Sequence, residues 1–149
     1  MNEFKKKVAL VIGGTSGIGN ATANTLLEYG TTVHIVGRNV NKVAEAPNLI
    51  KHTVNISDTE EVKSLISEID SLDNLDYLVN SSGIFEPKPF LEHTVEDYNS
   101  YLDLNRGFFF IIQSVANKMK NTNGGSIVNV GSMWAKQAVK ATPSSAYSM

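Results

Sequence analysis

Val8-Ala9-Leu10-Val11-Ile12-Gly13-Gly14-Thr15-Ser16-Gly17-Ile18-Gly19 is the stretch on which the reading of this chain turns. Val8–Ile12 is continuously apolar and ends in glycine, the pattern of a strand buried on both faces. The glycines then fall at G-x-x-x-G-x-G spacing. A helical pattern follows over residues 18–29, with Ile18, Ala21, Thr25 and Leu26 along one side and Gly30 as its stop. A glycine turn between a strand and a helix N-terminus is suited to an anion. First-turn amides lack helical partners, and the positive end of the dipole faces an incoming phosphate. Glycine lets the backbone turn sharply and lets a pyrophosphate come close. Thr15 and Ser16 add hydroxyl donors. Gly13, Thr15, Ser16, Gly17, Ile18 and Gly19 are therefore the first candidate binding residues.

Outward from this stretch, short apolar runs alternate with helical patterns. Residues 32–36 read as a second strand closed by Gly37, residues 39–46 as a short helix ended near Pro47, and residues 50–54 as a third strand. Ser57-Asp58-Thr59-Glu60 reads as a capping box. It opens a helix to about Ser71, with Val62, Leu65, Ile66 and Ile69 on its apolar face. Residues 75–80 form a fourth strand pattern, and residues 83–93 a loop holding Pro87 and Pro89. A long helix is expected over residues 95–121, with Thr94 as its N-cap. Its middle, Phe108-Phe109-Phe110-Ile111-Ile112, is apolar on every side and calls for cover on both faces. The turn Asn123-Gly124-Gly125 leads to a fifth strand over residues 126–130, and a polar segment runs on to Ser145. Strand–helix alternation with continuous apolar strands predicts a parallel sheet with helices on both faces. Right-handed crossovers restrict this to a doubly wound α/β fold.

With 149 residues, the chain is long enough for one domain with a core and too short for two, so residues 1–149 are read as a single domain. A net charge of −2 lacks the basic excess of a nucleic-acid binder. The absence of cysteine excludes disulfides, a zinc ribbon and a thiol nucleophile. His34, His52 and His93 fall in no metal-ligand spacing, and no metal site is expected. The first apolar run is too short for a signal segment, and no stretch approaches the ~20 apolar residues of a membrane span. A soluble cytoplasmic protein with no membrane partner is the expectation.

The spacing of Gly13, Gly17 and Gly19 resembles that of the short-chain dehydrogenase/reductase family. The resemblance implies a Rossmann-like, dinucleotide-binding domain. The family usually has Thr just before the glycine loop, and here Ile12 stands there. After the second strand, NAD-using members resemble each other in carrying Asp where this chain has Gly37. Arg38 beside it offers a planar cation suited to a 2′-phosphate. Arg38 and Asn39 are thus candidate cofactor residues, and NADP is favoured over NAD. Asn55-Ile56 stands where the family shows Asp and an aliphatic residue against the adenine. The Asn55 side-chain oxygen can still accept a hydrogen bond. Asn80-Ser81-Ser82-Gly83 looks like the family's Asn-Asn-Ala-Gly segment, which lines the cofactor. Asn80 and Gly83 match, while Ser81 and Ser82 depart.

Three residues carry the catalytic expectation. Asn105, a polar residue inside an apolar helix, matches the family Asn that distorts the helix and holds a water in a proton relay. Ser132, after the fifth strand, matches the Ser that steadies the substrate oxygen. Tyr147 resembles the first residue of Tyr-x-x-x-Lys and would protonate a carbonyl oxygen as hydride arrives from the nicotinamide. The helper Lys would fall at position 151, and neither Lys136 nor Lys140 has that offset. The resemblance therefore covers the whole chain but only the N-terminal part of a family member. The family's C-terminal strands and helices are absent, the 149-residue chain alone is expected to be inactive, and the natural protein is expected to be longer. The long helix implies a homo-oligomer, dimer or tetramer, because in the family it packs on a partner subunit. The leading expectation is an NADP-dependent reductase or dehydrogenase acting on a small carbonyl or alcohol substrate. A non-catalytic NADP-binding module, or a truncated paralogue, is the alternative. Epimerase or dehydratase chemistry is disfavoured, because those relatives usually show G-x-x-G-x-x-G.

Overall fold

In the computed structural model, which describes residues 3–135 and 142–148, five parallel strands form one sheet. The strands are β1 (Val8–Ile12), β2 (Thr32–Gly37), β3 (Leu49–Thr53), β4 (Tyr77–Asn80) and β5 (Ser126–Asn129), and the helices are α1 (Gly17–Glu28), α2 (Thr59–Ser71) and α3 (Val95–Asn121). The spatial order is β3-β2-β1-β4-β5, the doubly wound arrangement expected. The chain winds one way from β1 to β3 and the other way through β4 and β5. The switch point therefore lies between the C-terminal ends of β1 and β4, where Ile12 pairs with Asn80.

Strand alternation divides the core between two layers. Ala9, Val11, Val33 and Ile35 face α1 and pack with its Ala23 and Leu26. Leu10, Ile12 and Val36 face the other way and pack with Val62, Leu65 and Ile69 of α2 and Leu104, Ile111 and Val115 of α3. Each such fully buried aliphatic side chain contributes on the order of 1.5–3 kcal/mol. The mid-helix apolar run of α3 has only one covered face among the described residues. Ile111 is buried, whereas Phe109 and Phe110 are 61% and 46% exposed.

Local departures from the sequence reading have local causes. Asp58, not Ser57, caps α2: its carboxylate accepts the amides of Glu60 and Glu61 at 2.9 and 3.0 Å. The Ser57 amide instead donates to Asn55 Oδ1 at 3.2 Å, which places Ser57 in the turn before the helix. Thr94 caps α3 as expected, in a full capping box with Asp97. Residues 39–46 hold only a single 3₁₀ turn, Val40–Lys42, because Val43 is already extended and Pro47 follows. So short a stretch cannot repay helix nucleation. β4 is shorter than residues 75–80. Before it, the Asp76 carboxylate accepts from the Val8 amide at 2.9 Å, Lys7 Nζ at 2.8 Å and Asn74 Nδ2 at 2.9 Å, fastening the foot of β1 to β4. Lys136 and Lys140 lie outside the described residues.

Candidate functional site

The glycine loop crosses the C-terminal end of the sheet and is held from below. The amides of Gly13 and Gly14 donate to the Val36 carbonyl at 2.9 and 3.3 Å. Gly13 has φ +78, and a Cβ there would lie 2.7 Å from the Ser82 amide nitrogen. Both facts require glycine. A Cβ on Gly19 would collide with the Gly13 carbonyl and Ser81 Oγ, so the buried Gly19 serves the close seating of α1 rather than the cleft surface. Ser81 completes the junction, donating to the Ile12 carbonyl through its amide at 3.0 Å and its hydroxyl at 2.9 Å. Ser16 is the N-cap of α1 in an extended conformation, with no side-chain bond to the helix and no acidic residue in the first turn. The positive end of α1 is therefore open to an anion.

A cleft of about 370 Å³ lies over this loop. Gly13, Thr15, Ser16, Gly17, Ile18, Arg38, Asn39, Asn55, Ile56, Ser81 and Gly83, all singled out from sequence, line it. Two others do not. Gly19 lies beneath the loop, and Asn80 faces the adjoining cavity instead. Ser82, within the segment compared with the family's, lines the cleft as well, and Lys42 and Ser57 line it and were missed. Lys42 left a faint signal, since it is a second basic residue only four positions after Arg38. Arg38 and Lys42 are the only ionisable residues in the described lining, and no carboxylate is among them. Gly37 is explained by Thr15, whose Cγ2 lies 2.6 Å from where a Cβ would be. Asn55 is more committed than expected. Its amide donates to Glu61 Oε2 at 2.7 Å, and its side-chain oxygen already accepts from Ser57.

A second cavity, of about 580 Å³, adjoins the first and shares Ser81, Ser82, Gly83, Ile84 and Leu104 with it. Asn80, Asn105, Ser132 and Tyr147 line this one, so the three catalytic candidates come together beside the cleft. Asn105 is exposed on α3, whose helical assignment is continuous through it. Asn80 Nδ2 donates to Asn129 Oδ1 at 3.2 Å, while its own Oδ1 is buried without a protein partner. Ser132 Oγ accepts the Trp134 amide at 3.3 Å. Tyr147 sits edge-on to Phe85, with ring centroids 4.9 Å apart, and to Tyr101 at 6.1 Å. The Pro143 carbonyl accepts the Lys88 amide at 3.0 Å, tying this segment to the loop after β4. That loop is fastened in turn to the start of α3. There Lys88 donates to Asp97 at 2.5 Å, and this contact holds the Asp97 carboxyl down to about 2.

His34 and His52 are not isolated: their rings meet at 2.9 Å, and His52 Nδ1 lies 2.7 Å from Glu68 Oε2. Among the described residues no group of His, Asp and Glu has the arrangement of a metal site.

The architecture defines a dinucleotide-fold protein with a nucleotide-sized cleft at the switch point of its sheet. The family model described as short chain dehydrogenase matches residues 7–148. The chain is 31% identical over 151 residues to an uncharacterised oxidoreductase of Staphylococcus saprophyticus, covering 94% of this chain and 64% of that protein. It is 35% identical over 142 residues to the 3-oxoacyl-acyl-carrier-protein reductase of Aquifex aeolicus, covering 88% and 57%. A solved structure described as a short chain dehydrogenase/reductase family protein matches with a TM-score of 0.88 at 28% identity, covering 98% of this chain and 63% of that one. The chain belongs to the short chain dehydrogenase family, a family of NAD(P)-using oxidoreductases. It spans less than two thirds of the length of these relatives. No helix among the described residues is long and apolar enough to cross a membrane.

Proposed function

We propose that the protein is an NADP-dependent oxidoreductase that interconverts a carbonyl compound and an alcohol. The observation that carries the cofactor choice is the cleft lining: Arg38 and Lys42 stand at its β2 side with no carboxylate among the described lining residues. A 2′-phosphate on the adenosine ribose matches that balance, and the guanidinium of Arg38 can meet it with two parallel donors. The open first turn of α1 suits the pyrophosphate, and the unpartnered Asn80 Oδ1 offers an acceptor where the cleft passes into the second cavity. When bound, the cofactor supplies or takes up hydride. Ser132 donates a hydrogen bond to the substrate oxygen and fixes its place. Tyr147 gives that oxygen its proton on reduction and takes it back on oxidation. Asn105 holds a water in the path by which Tyr147 regains its proton.

Isothermal titration tests the cofactor reading. NADP⁺ is expected to bind about 10–100-fold more tightly than NAD⁺, the scale of a charge-assisted contact. Arg38→Asp is expected to reverse the preference, and an unchanged ratio would assign the phosphate to another residue.

We further propose that the outer face of α3, with Phe109 and Phe110, packs on a second copy. Sedimentation should then give a dimer or tetramer, and Phe110→Glu should shift it to monomer.

A further inference from the structure

Away from both cavities, three ionisable side chains form a chain across the α2 face of the sheet. His34 of β2 is only 8% exposed. Its Nδ1 lies 2.9 Å from His52 Nε2 of β3, and His52 Nδ1 lies 2.7 Å from Glu68 Oε2 of α2. The two rings stack at a centroid distance of 5.2 Å. Glu68 is half-exposed, and a cavity of about 210 Å³ lined by Leu10, His34, His52, Glu68, Ile69 and Leu72 opens beside the rings. Protons therefore have access.

The hydrogen bonds count the protons. With both rings neutral, His52 donates to Glu68 through Nδ1 and accepts the His34 Nδ1 proton at Nε2. One added proton is accommodated. His52 then carries both N–H groups and donates to Glu68 and to His34. A second proton is not accommodated. It puts two N–H donors face to face at 2.9 Å and two positive rings in contact. Among the described residues no other charge nearby offsets this. Lys51, on the same strand, turns to Glu45 and the Val43 carbonyl. On the α3 side, Lys118 is bound to the carbonyls of Asp70 and Leu72, and the Asp70 carboxylate accepts from Ser114. β1 contributes only Leu10.

The chain also ends at the cleft. α2 is fastened to β3 and its exit by two carboxylates two helical turns apart, Glu68 on His52 and Glu61 on the Asn55 amide. Val54, Asn55 and Ile56, immediately after β3, line the first cleft. We propose that Glu68, His52 and His34 form an acid-sensitive latch on the nucleotide cleft: the second proton breaks the ring-to-ring bond, loosens α2 from β3 and weakens nucleotide binding. The proposal rests on the reading of the first cleft as a nucleotide site.

The sign follows from His34. Burial, with the charge of His52 next, lowers it to about 4 from an ordinary 6.5, so the folded chain refuses a proton that a loosened one accepts. The latch is fully closed above the ordinary histidine value and opens as pH falls from there toward about 4.

The test is titration of NADP⁺ at about pH 7.5 and about pH 5, on either side of the ordinary histidine pKa, with the unaltered chain and with His34→Gln. Glutamine keeps an uncharged polar group at the site. The dissociation constant of the unaltered chain should rise about ten-fold more than that of His34→Gln, the effect of one linked proton. Titration of the cofactor's own phosphate is common to both proteins and cancels. His52→Gln should flatten the response likewise, so a folding defect in one variant leaves the other to decide. An equal rise in the unaltered chain and in a folded variant overturns the latch alone. No binding at the higher pH overturns the nucleotide reading, and the latch on it as well.

Discussion

Tyr147→Phe is expected to lower kcat for carbonyl reduction by about 10²–10⁴-fold, the usual contribution of a positioned acid, while NADPH affinity stays within about two-fold. An unassisted phenol releases its proton near ~10, far from neutrality, so the hydroxyl must be placed rather than merely present. Its placement depends on the ring. Phe85 and Tyr101 meet the Tyr147 ring at centroid distances of 4.9 and 6.1 Å, and Tyr101 is itself held by its hydroxyl, which accepts the Glu86 amide at 3.0 Å. Phenylalanine keeps those ring contacts and loses only the oxygen. A loss confined to kcat therefore reads the proton and not the packing. The measurement is steady-state turnover by the intact protein together with NADPH titration. Full turnover by Tyr147→Phe would remove Tyr147 as the proton donor.

Gly107→Ala should destabilise the fold by on the order of 3 kcal/mol, at the upper end of overpacking effects. At a chain of this size that lowers Tm by roughly 10 °C. The sign is opposite to the helix rule, by which Gly→Ala inside a helix gains up to about 1 kcal/mol. Gly107 is buried in α3 against the Ile56 carbonyl, and a Cβ would lie 2.9 Å from the Ile56 carbonyl carbon and closer still to its oxygen. The obstacle is backbone, which cannot rotate away. Ile56 also lines the cleft, so nucleotide affinity should fall along with stability. Ala116→Gly, at an exposed position on the same helix, should cost only about 1 kcal/mol, the propensity difference itself. Thermal melts of the three proteins decide it. A melt for Gly107→Ala at or above that of the unaltered chain would mean that α3 does not approach the loop so closely.

Much of this was legible beforehand because it is local. β1 and α3 have the bounds their residue patterns indicate, and Thr94 caps α3 as its type and place suggest. The cap of α2 was off by one residue. Both Ser57 and Asp58 are good caps by type, and only the turn made by Asn55 decides between them. The helix over residues 39–46 failed for a related reason: a weak propensity was set against a chain that had to become extended again for β3. Most of the cofactor candidates line one cleft because they all lie just past strand ends, and parallel strands bring their C-terminal ends to one edge. Gly19 and Asn80, also named as cofactor candidates, lie outside the lining of that cleft, Gly19 under the loop and Asn80 on the adjoining cavity. Which side of a loop a residue faces is settled by what packs under it.

The sequence by itself determined most of the succession of strands and helices, the doubly wound order and the glycine turn between β1 and α1. Each of these depends on periodicity, glycine spacing and chain handedness within a few tens of residues. The tertiary structure alone decided that Gly107 is a contact with Ile56 and not a flaw in a helix. It alone joined His34, His52 and Glu68, and it alone caged Tyr147 between Phe85 and Tyr101. Those contacts join residues far apart in the chain, and no local pattern records which distant side chain will arrive within reach.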